Sequence, residues 1–212
     1  MITRVALADD TPLIREGFQR LLETESDLSV VGCAKDAHEL LELLSRDSCD
    51  VVVLDIHMPG PGFLEALSRI LGSPSKPRVL VLTGSSEELF ALRALQNGAS
   101  GYLTKDAEPD DIIMAIRKIA RGHRYITPHV AELLVESMTS DPDRPRHHDL
   151  SDREFDVLRL LGAGQSTNEV ASTLSISPKT VATYRARIYE KLGIKGMSEL
   201  IRYALEHQLT EQ

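Results

Sequence analysis

VVVLDIHMPG, at residues 51–60, decides the fold, because four apolar residues run directly into an aspartate. An unbroken apolar run of this length predicts a strand that is buried on both faces of a sheet. Similar runs occur as VALA at 5–8, VLVL at 79–82 and GYL at 101–103, and helix-patterned segments separate them. This alternation predicts a parallel α/β sheet.

Polar residues stand at or just after the end of each run. They are Asp9, Asp10, Asp55, Thr83 and Lys105. Ligands of open α/β sheets bind outside the carboxyl ends of the strands, so we expect these side chains to converge. Three carboxylates, a hydroxyl and an ammonium around one point suit a hard divalent cation that holds a phosphoryl group. An aspartate that ends a strand is also often a helix N-cap, and Asp10 before Thr11-Pro12 fits that role as well.

The alternation continues through five βα units. The predicted strands lie near 3–8, 28–34, 50–55, 78–83 and 101–104, and the predicted helices near 12–24, 37–47, 63–71, 87–97 and 108–121. Right-handed crossovers between them give a doubly wound, five-stranded parallel sheet with the strand order 2-1-3-4-5. We assign residues 1–122 to this domain.

A linker is predicted over residues 123–147, with an amphipathic helix at 128–138. The segment SDPDRPRHHD at 140–149 contains two prolines and no aliphatic side chain, which is typical of a tether. The run His147-His148-Asp149 could also form a metal site. Adjacent ligands on a charged tether are more often simply solvated.

Residues 148–212 show only helical periodicity and predict a small all-α domain of four helices. Two capping boxes and a serine-proline pair mark helix starts at Ser151–Glu154, Ser166–Glu169 and Ser177-Pro178. The third helix covers 178–192 and is stopped by Gly193, and a fourth lies near 198–208. A short helix, a tight turn and a basic second helix form a helix-turn-helix pattern, whose second helix enters the major groove of DNA.

The helix at 178–192 has one outward basic face. Its candidate DNA-binding residues are Lys179, Thr180, Thr183, Arg185 and Arg187. We expect the basic side chains to hold phosphates, and Thr183, joined by Lys179, to read base edges. Ala182 and Ala186 also point outward and offer no hydrogen bonds, although alanine contacts thymine methyl groups. An ordinary solvated basic face is the alternative interpretation.

Composition and charge limit the number of domains and the classes of function. The chain has 212 residues, of which 42% are apolar, so it is long enough for two modest domains. A net charge of −8 argues against nucleic-acid binding by the whole surface. Two distant cysteines, Cys33 and Cys49, predict buried reduced thiols rather than a disulfide. No secretory signal or membrane span is evident, so we expect a soluble, cytoplasmic protein.

Both halves resemble the NarL/FixJ-type response regulators of bacterial two-component signalling. In the first half the resemblance rests on ADD at 8–10, VVVLDIHMPG at 51–60, VLVLTG at 79–84 and NGASGYLTKD at 97–106. In the second half, LSDREFDVLRLLGAGQSTNEVASTLSISPKTVATYRARIYEKLGI at 150–194 is similar to the LuxR-type DNA-binding domain, in its BvgA/UvrY-like branch. The first half is then a CheY-like receiver domain with a flavodoxin-like fold.

The resemblance implies a phosphoacceptor, Asp55, that takes a phosphoryl group from a sensor histidine kinase. It implies Mg²⁺, ligated by Asp10, Asp55 and the backbone carbonyl of His57, with Asp9 acting through water. Thr83 and Lys105 would contact phosphoryl oxygens. The physical argument agrees, because crowded carboxylates repel one another unless a cation neutralises them.

The resemblance also implies a switch and a dimer. Thr83 moves toward the phosphoryl group and the ring of Tyr102 turns inward, which reshapes a surface of the receiver. The last helix carries an apolar stripe of Leu200, Ile201, Ala204 and Leu205. Core packing explains most of this stripe, but the same helix makes the dimer contact in the family, and a dimer requires an inverted-repeat operator. The expected function is a phosphorylation-controlled transcription factor that is not an enzyme, apart from assisting its own phosphorylation and dephosphorylation.

The sequence departs from the family pattern at three positions. Phe63, preceded by Gly62, stands where relatives usually carry glycine, so the loop after Asp55 is expected to differ. His57 occupies a position that varies among receivers, and Asp106 follows Lys105 where other receivers often have proline. None of the five chemical positions is lost.

Other classes of function fit less well. A haloacid-dehalogenase-like phosphatase needs Asp-x-Asp after the first strand, which Asp9-Asp10-Thr11 does not supply. A nucleotide enzyme is disfavoured because neither GxGxxG nor GxxxxGK[ST] follows that strand. An atypical receiver that binds DNA independently of phosphorylation stays open.

Overall fold

The computed structural model describes residues 2–56, 58, 62–84, 88–138, 145–207 and 209–210. The chain divides into two compact units, Met1–Met138 and Thr139–Gln212. Within the described ranges, no helix has the length and apolar character needed to cross a membrane.

The first unit is a five-stranded parallel sheet with helices on both faces. Its strands are β1 (Thr3–Ala8), β2 (Leu28–Ala34), β3 (Val51–Leu54), β4 (Arg78–Thr83) and β5 (Gly101–Thr104). Its helices are α1 (Pro12–Glu23), α2 (Ala37–Arg46), α3 (Phe63–Leu71), α4 (Glu88–Gln96), α5 (Pro109–Ala120) and α6 (Pro128–Met138). The strand order is β2-β1-β3-β4-β5, which confirms the predicted doubly wound topology.

The sheet is buried because its strands are apolar on both sides. Alternate residues such as Val5, Val53 and Leu80 pack with Leu22 of α1 and Ile116 of α5 in one core cluster. Helices α2, α3 and α4 contact the strands from the other face. Fully burying one such side chain stabilises the fold by roughly 1.5–3 kcal/mol, so these layers hold the strand ends in fixed positions.

Helix α6 occupies the predicted range 128–138, and it packs against α4 within the first unit. The predicted linker includes this helix. Val130 of α6 is buried.

The two thiols differ in exposure. Cys49 is buried as expected. Cys33 is exposed, which corrects the prediction of a buried thiol, because it lies on the edge strand β2. Burial raises the pKa of Cys49 to about 11, so this thiol stays protonated at neutral pH.

The second unit is helical. It contains α7 (Asp152–Gly162), α8 (Thr167–Thr173), α9 (Pro178–Leu192) and α10 (Met197–Glu206). Both predicted capping boxes are present at Ser151–Glu154 and Ser166–Glu169, and the side chain of Ser177 caps α9. Gly193 ends α9 with φ +71°, a conformation that side-chain-bearing residues rarely adopt.

Residues Arg146–Asp149 form a 3₁₀ helix, which corrects the prediction of a solvated tether. His147 is buried, and its Nδ1 lies 2.9 Å from the hydroxyl oxygen of Tyr203 on α10. The guanidinium of Arg146 donates to the carbonyl of Leu192 at 3.4 Å, at the end of α9. Contacts with residues about 50 positions away therefore order this polar segment.

An ion pair fastens α9 to the start of α7. Lys191 Nζ lies 2.6 Å from Glu154 Oε2 and 3.1 Å from the carbonyl oxygen of Asp149. Burial alone would raise the pKa of Glu154, but hydrogen bonds from Lys191 and Ser151 outweigh it and hold the pKa below its usual value. The ionised form of Glu154 is thus favoured by folding.

We predict that Glu154→Gln destabilises the second unit at pH 7 by about 1–2 kcal/mol, because a buried charge-assisted pair is lost. The difference from wild type should be full above about pH 5 and should vanish as the pH falls through the lowered pKa of Glu154. The measurement is urea unfolding of the full chain, followed through amide NMR signals of α7 and α9.

Glu169→Gln is the matched control, because Glu169 closes the same kind of capping box at an exposed site. It should change stability less than Glu154→Gln. Equal losses from the two variants would contradict a contribution from the Lys191 pair.

Candidate functional site

Three carboxylates meet at the carboxyl end of the sheet. Asp9, Asp10 and Asp55 each offer an oxygen within 4.8 Å of the others. The cause is strand pairing, because Ala8 and Leu54 are in register and the N–H of Asp55 donates to the carbonyl of Ala8 at 2.9 Å. Asp9 and Asp55 are only 5% and 3% exposed, whereas Asp10 faces solvent.

Lys105 joins this cluster from the position directly after β5. Its Nζ lies 2.7 Å from Asp9 Oδ2 and 2.8 Å from Asp55 Oδ2. Burial alone would lower the pKa of Lys105, but the hydrogen bonds to Asp55 and Asp9 raise it above its usual value. Lys105 is therefore a cation at neutral pH.

The cluster carries an excess of negative charge. Three carboxylates face one ammonium, and two carboxylate charges within 4.8 Å of each other repel by about 3.5 kcal/mol or more at an effective dielectric constant of about 20. A bound cation would offset this repulsion. Oxygen donors are the ligands that Mg²⁺ prefers, so the residues present fit that ion.

The remaining predicted site residues of the first unit are Thr83, Tyr102 and His57. Thr83 ends β4 and is fully buried, and its carbonyl accepts a hydrogen bond from the Lys105 N–H at 2.6 Å. Tyr102 is buried in β5, with Val81 as its partner in β4. His57 lies outside the described residues.

One neighbour of the cluster was not predicted from the sequence. Arg15, on the first turn of α1, donates from Nη1 to the backbone carbonyl of Asp9 at 2.6 Å. Its signal in the sequence is an arginine five residues after Asp10. The predicted site contains only groups that could ligate a cation or contact a phosphoryl oxygen, and Arg15 does neither.

Phe63, the departure from the family pattern, begins α3 after Gly62. Its buried ring meets Phe90 of α4 edge to face, with centroids 6.5 Å apart. The larger side chain thus joins α3 to α4, and residues 59–61, nearer to Asp55, lie outside the described residues.

In the second unit, α8 and α9 form a helix-turn-helix pair. Residues 174–177 connect them, with Ser175 at φ +54°. Val181, Ile188 and Leu192 are buried, so the opposite face of α9 looks outward. Both alanines considered from the sequence, Ala182 and Ala186, retain some exposure.

The five candidate DNA-binding residues divide into two groups. Lys179, Thr183 and Arg187 are exposed on one face of α9. Thr180 is partly buried and its hydroxyl lies 2.7 Å from that of Ser177, so it contributes to the cap of α9. Arg185 is also partly buried, and its Nη1 lies 3.5 Å from the Thr167 hydroxyl on α8.

The four predicted dimer residues of α10 differ in exposure. Leu200 and Ala204 are fully buried within the unit, which agrees with the core packing expected for most of the stripe. The cause is the close packing of α10 on α7, where a Cβ at Gly162 would stand 2.5 Å from that of Ala204. Ile201 is partly buried, and Leu205 is 59% exposed.

Comparisons with known families agree with this architecture. Residues 5–117 match the response regulator receiver domain, and residues 148–204 match the bacterial regulatory proteins of the luxR family. The chain belongs to the response regulators. The family predicted from the sequence is confirmed, and so is the combination of a receiver with a LuxR-type DNA-binding domain.

Relatives cover nearly the whole response regulator. This chain is 36% identical over 207 residues to the response regulator UvrY of Escherichia coli (strain K12). The matched region covers 97% of this chain and 94% of UvrY. The chain is 37% identical over 213 residues to the response regulator GacA of Pseudomonas aeruginosa, with 98% of both chains covered.

Solved structures of RcsB from Salmonella are also similar to this response regulator. One gives a TM-score of 0.77 at 26% identity, covering 98% of this chain and 99% of that chain. Another, bound to the promoter P1flhDC in the presence of the phosphomimetic BeF3−, gives 0.74 at 25% identity, covering 96% and 98%.

Proposed function

We propose that this response regulator accepts a phosphoryl group on Asp55 and that phosphorylation controls its sequence-specific binding to double-stranded DNA. The observation that carries the proposal is the buried Asp55 carboxylate held by Lys105 among two further carboxylates, in a chain that also has a helix-turn-helix unit. The phosphoryl donor is a sensor histidine kinase, the partner that a receiver domain implies.

Asp55 is the nucleophile of the proposed transfer. Its carboxylate attacks the phosphorus atom, the bond from phosphorus to the donor nitrogen breaks, and an acyl phosphate forms. The ammonium of Lys105, already 2.8 Å from Asp55 Oδ2, moves onto the new phosphoryl oxygens and offsets their charge. Thr83, at the end of the adjacent strand, supplies a hydroxyl donor to the same group.

Mg²⁺ is the cofactor that suits this site. Asp10, Asp55 and the carbonyl of His57 would ligate it, and Asp9 would act through water. When bound, the ion neutralises the crowded carboxylates and stabilises charge on the transferring phosphoryl group. Asp10 is the solvent-exposed member of the cluster, so it lies where an incoming cation first meets the protein.

Thr83 and Tyr102 form the proposed switch. Thr83 ends β4, and Tyr102 lies in the neighbouring strand β5 opposite Val81, two residues before Thr83; both are buried, so we expect a movement of Thr83 toward a phosphoryl group to open space beside the ring of Tyr102. The receiver thereby converts a local electrostatic change into a different outer surface. Its chemistry is limited to its own phosphorylation and dephosphorylation, and the protein acts as a regulator in the cytoplasm, where bacterial DNA lies.

The exposed face of α9 is the proposed reader of DNA. Lys179 and Arg187 hold phosphates and Thr183 contacts base edges, whereas Thr180 and Arg185 support the helix from within. RcsB, similar in structure at 25% identity, is bound to a promoter with BeF3−. Another RcsB structure contains two dimers on two parallel DNAs. A dimer of this chain, with Leu205 and Ile201 near its contact, would bind an inverted repeat.

We predict that Asp55→Asn abolishes phosphorylation by acetyl phosphate in the presence of Mg²⁺, because an amide cannot form the acyl phosphate. The label is measured by intact-protein mass spectrometry. Asp47→Asn, which removes an aspartate that follows α2, should label like wild type. Persistent labelling of Asp55→Asn would disprove the assignment of the acceptor.

We predict that Lys179→Ala and Arg187→Ala each weaken DNA binding to a similar degree on all sequences. Each should reduce the slope of log affinity against log salt by about 1, because one phosphate contact is lost. Fluorescence anisotropy with duplex DNA at several salt concentrations measures both quantities.

Arg202→Ala is the control for this experiment, since Arg202 is 70% exposed on α10 and its loss removes the same charge. Its salt slope should equal that of wild type. A slope that changes as much in Arg202→Ala as in Arg187→Ala would show that net charge, not the α9 face, determines binding.

A further inference from the structure

Asp9 has every one of its polar groups engaged. Its N–H donates to the carbonyl of Ala34 at 3.1 Å, and its Oδ1 accepts from the N–H of Thr11 at 2.8 Å. Its Oδ2 pairs with Lys105. The fourth group, the backbone carbonyl, accepts from Arg15 Nη1 at 2.6 Å.

Asp10 is held much less firmly. Its side chain is exposed, and its Oδ1 accepts a hydrogen bond of 3.3 Å from the hydroxyl of Thr11. The direction of its carboxylate is therefore set by the peptide group that joins it to Asp9. The carbonyl of that peptide is the one that Arg15 holds.

We propose that Arg15 is a positioning residue that fixes the Asp9–Asp10 peptide and so directs the Asp10 carboxylate toward a divalent cation shared with Asp55. The inference rests on the proposed function and adds a residue that binds neither the cation nor the phosphoryl group. It explains why a cation-binding site tolerates a second basic side chain beside it.

The contacts of Arg15 support this role. Its own N–H makes the ordinary helical bond to the carbonyl of Thr11, so the guanidinium is not needed to begin α1. Arg15 is partly buried, and it lines a small cavity of about 10 Å³ together with Asp9, Phe18 and Asp55. Among the described side chains Arg15 makes no ion pair, so it does not occupy carboxylate oxygens that a cation could use. Lys105, in contrast, contacts oxygens of both Asp9 and Asp55.

Two opposite effects follow from removing Arg15. Loss of its charge would strengthen cation binding, because a repulsive neighbour disappears. Loss of the hydrogen bond would weaken binding, because Asp10 no longer points consistently at the site. Residues that orient metal ligands commonly affect metal affinity by about 10- to 100-fold, so we expect orientation to dominate.

The test is a calorimetric titration of the full chain with Mg²⁺ alone. Arg15→Met should raise the dissociation constant about 10-fold, and Arg15→Lys, which retains a charged donor, should stay within about 3-fold of wild type. Arg20→Met is the matched control, because it removes an exposed arginine from the last turn of the same helix and should leave the constant unchanged.

A second readout separates positioning from general damage to α1. For Arg15→Met, the Mg²⁺ concentration that gives half-maximal labelling by acetyl phosphate should rise by the same factor, with an unchanged rate at saturating Mg²⁺. If this variant does not fold, Arg15→Gln takes its place, with folding checked by thermal unfolding in EDTA.

Wild-type Mg²⁺ affinity in Arg15→Met, or an equal loss in Arg20→Met, would overturn the role of Arg15 alone. A lower saturating rate with an unchanged Mg²⁺ requirement would also overturn it, because this pattern indicates a structural role. Absence of Mg²⁺ binding and of Asp55 labelling in the wild type would overturn the proposed function together with this inference.

Discussion

The ammonium of Lys105, 2.7 Å from Asp9 and 2.8 Å from Asp55, balances two buried carboxylates, and the function proposed for the first unit depends on keeping these groups together. Strand pairing sets their backbone positions, and the apolar layers on both faces of the sheet prevent the strand ends from moving apart. Because one ammonium does not neutralise three carboxylates, the residues present fit a divalent cation, as the proposed function requires. Under the proposed function, a phosphoryl group on Asp55 changes this balance, and the buried residues Thr83 and Tyr102 are the proposed response.

Most of the architecture was predictable because its signals are local. Apolar runs that end in polar residues predicted four of the five strands, the alternation with helical segments placed β2, and serine-led capping boxes predicted the starts of α7 and α8. The convergence of Asp55 and Lys105 followed from a general property of parallel sheets, since the carboxyl ends of their strands share one edge. The residues of the α9 face followed from helical periodicity alone.

The failures concern residues whose environment is set by distant parts of the chain. The sequence places His147 in a polar tether, yet the side chain is buried in the second unit, where its ring contacts the hydroxyl of Tyr203. Leu200 and Ala204 belong to an apolar stripe for which core packing was the main interpretation, and the approach of α10 to Gly162 shows which part of that stripe is internal. Arg15 was missed because it holds a backbone carbonyl, and no pattern of side chains announces such a contact.

The central claim is that the state of Asp55 controls DNA binding, and selection from a randomised duplex pool tests it most directly. The full chain is presented with the pool in the presence and absence of beryllofluoride with Mg²⁺. Our account predicts that one palindromic sequence is enriched only with beryllofluoride. Enrichment of the same sequence with equal affinity in both conditions would contradict control by Asp55 and favour a receiver that acts independently of phosphorylation.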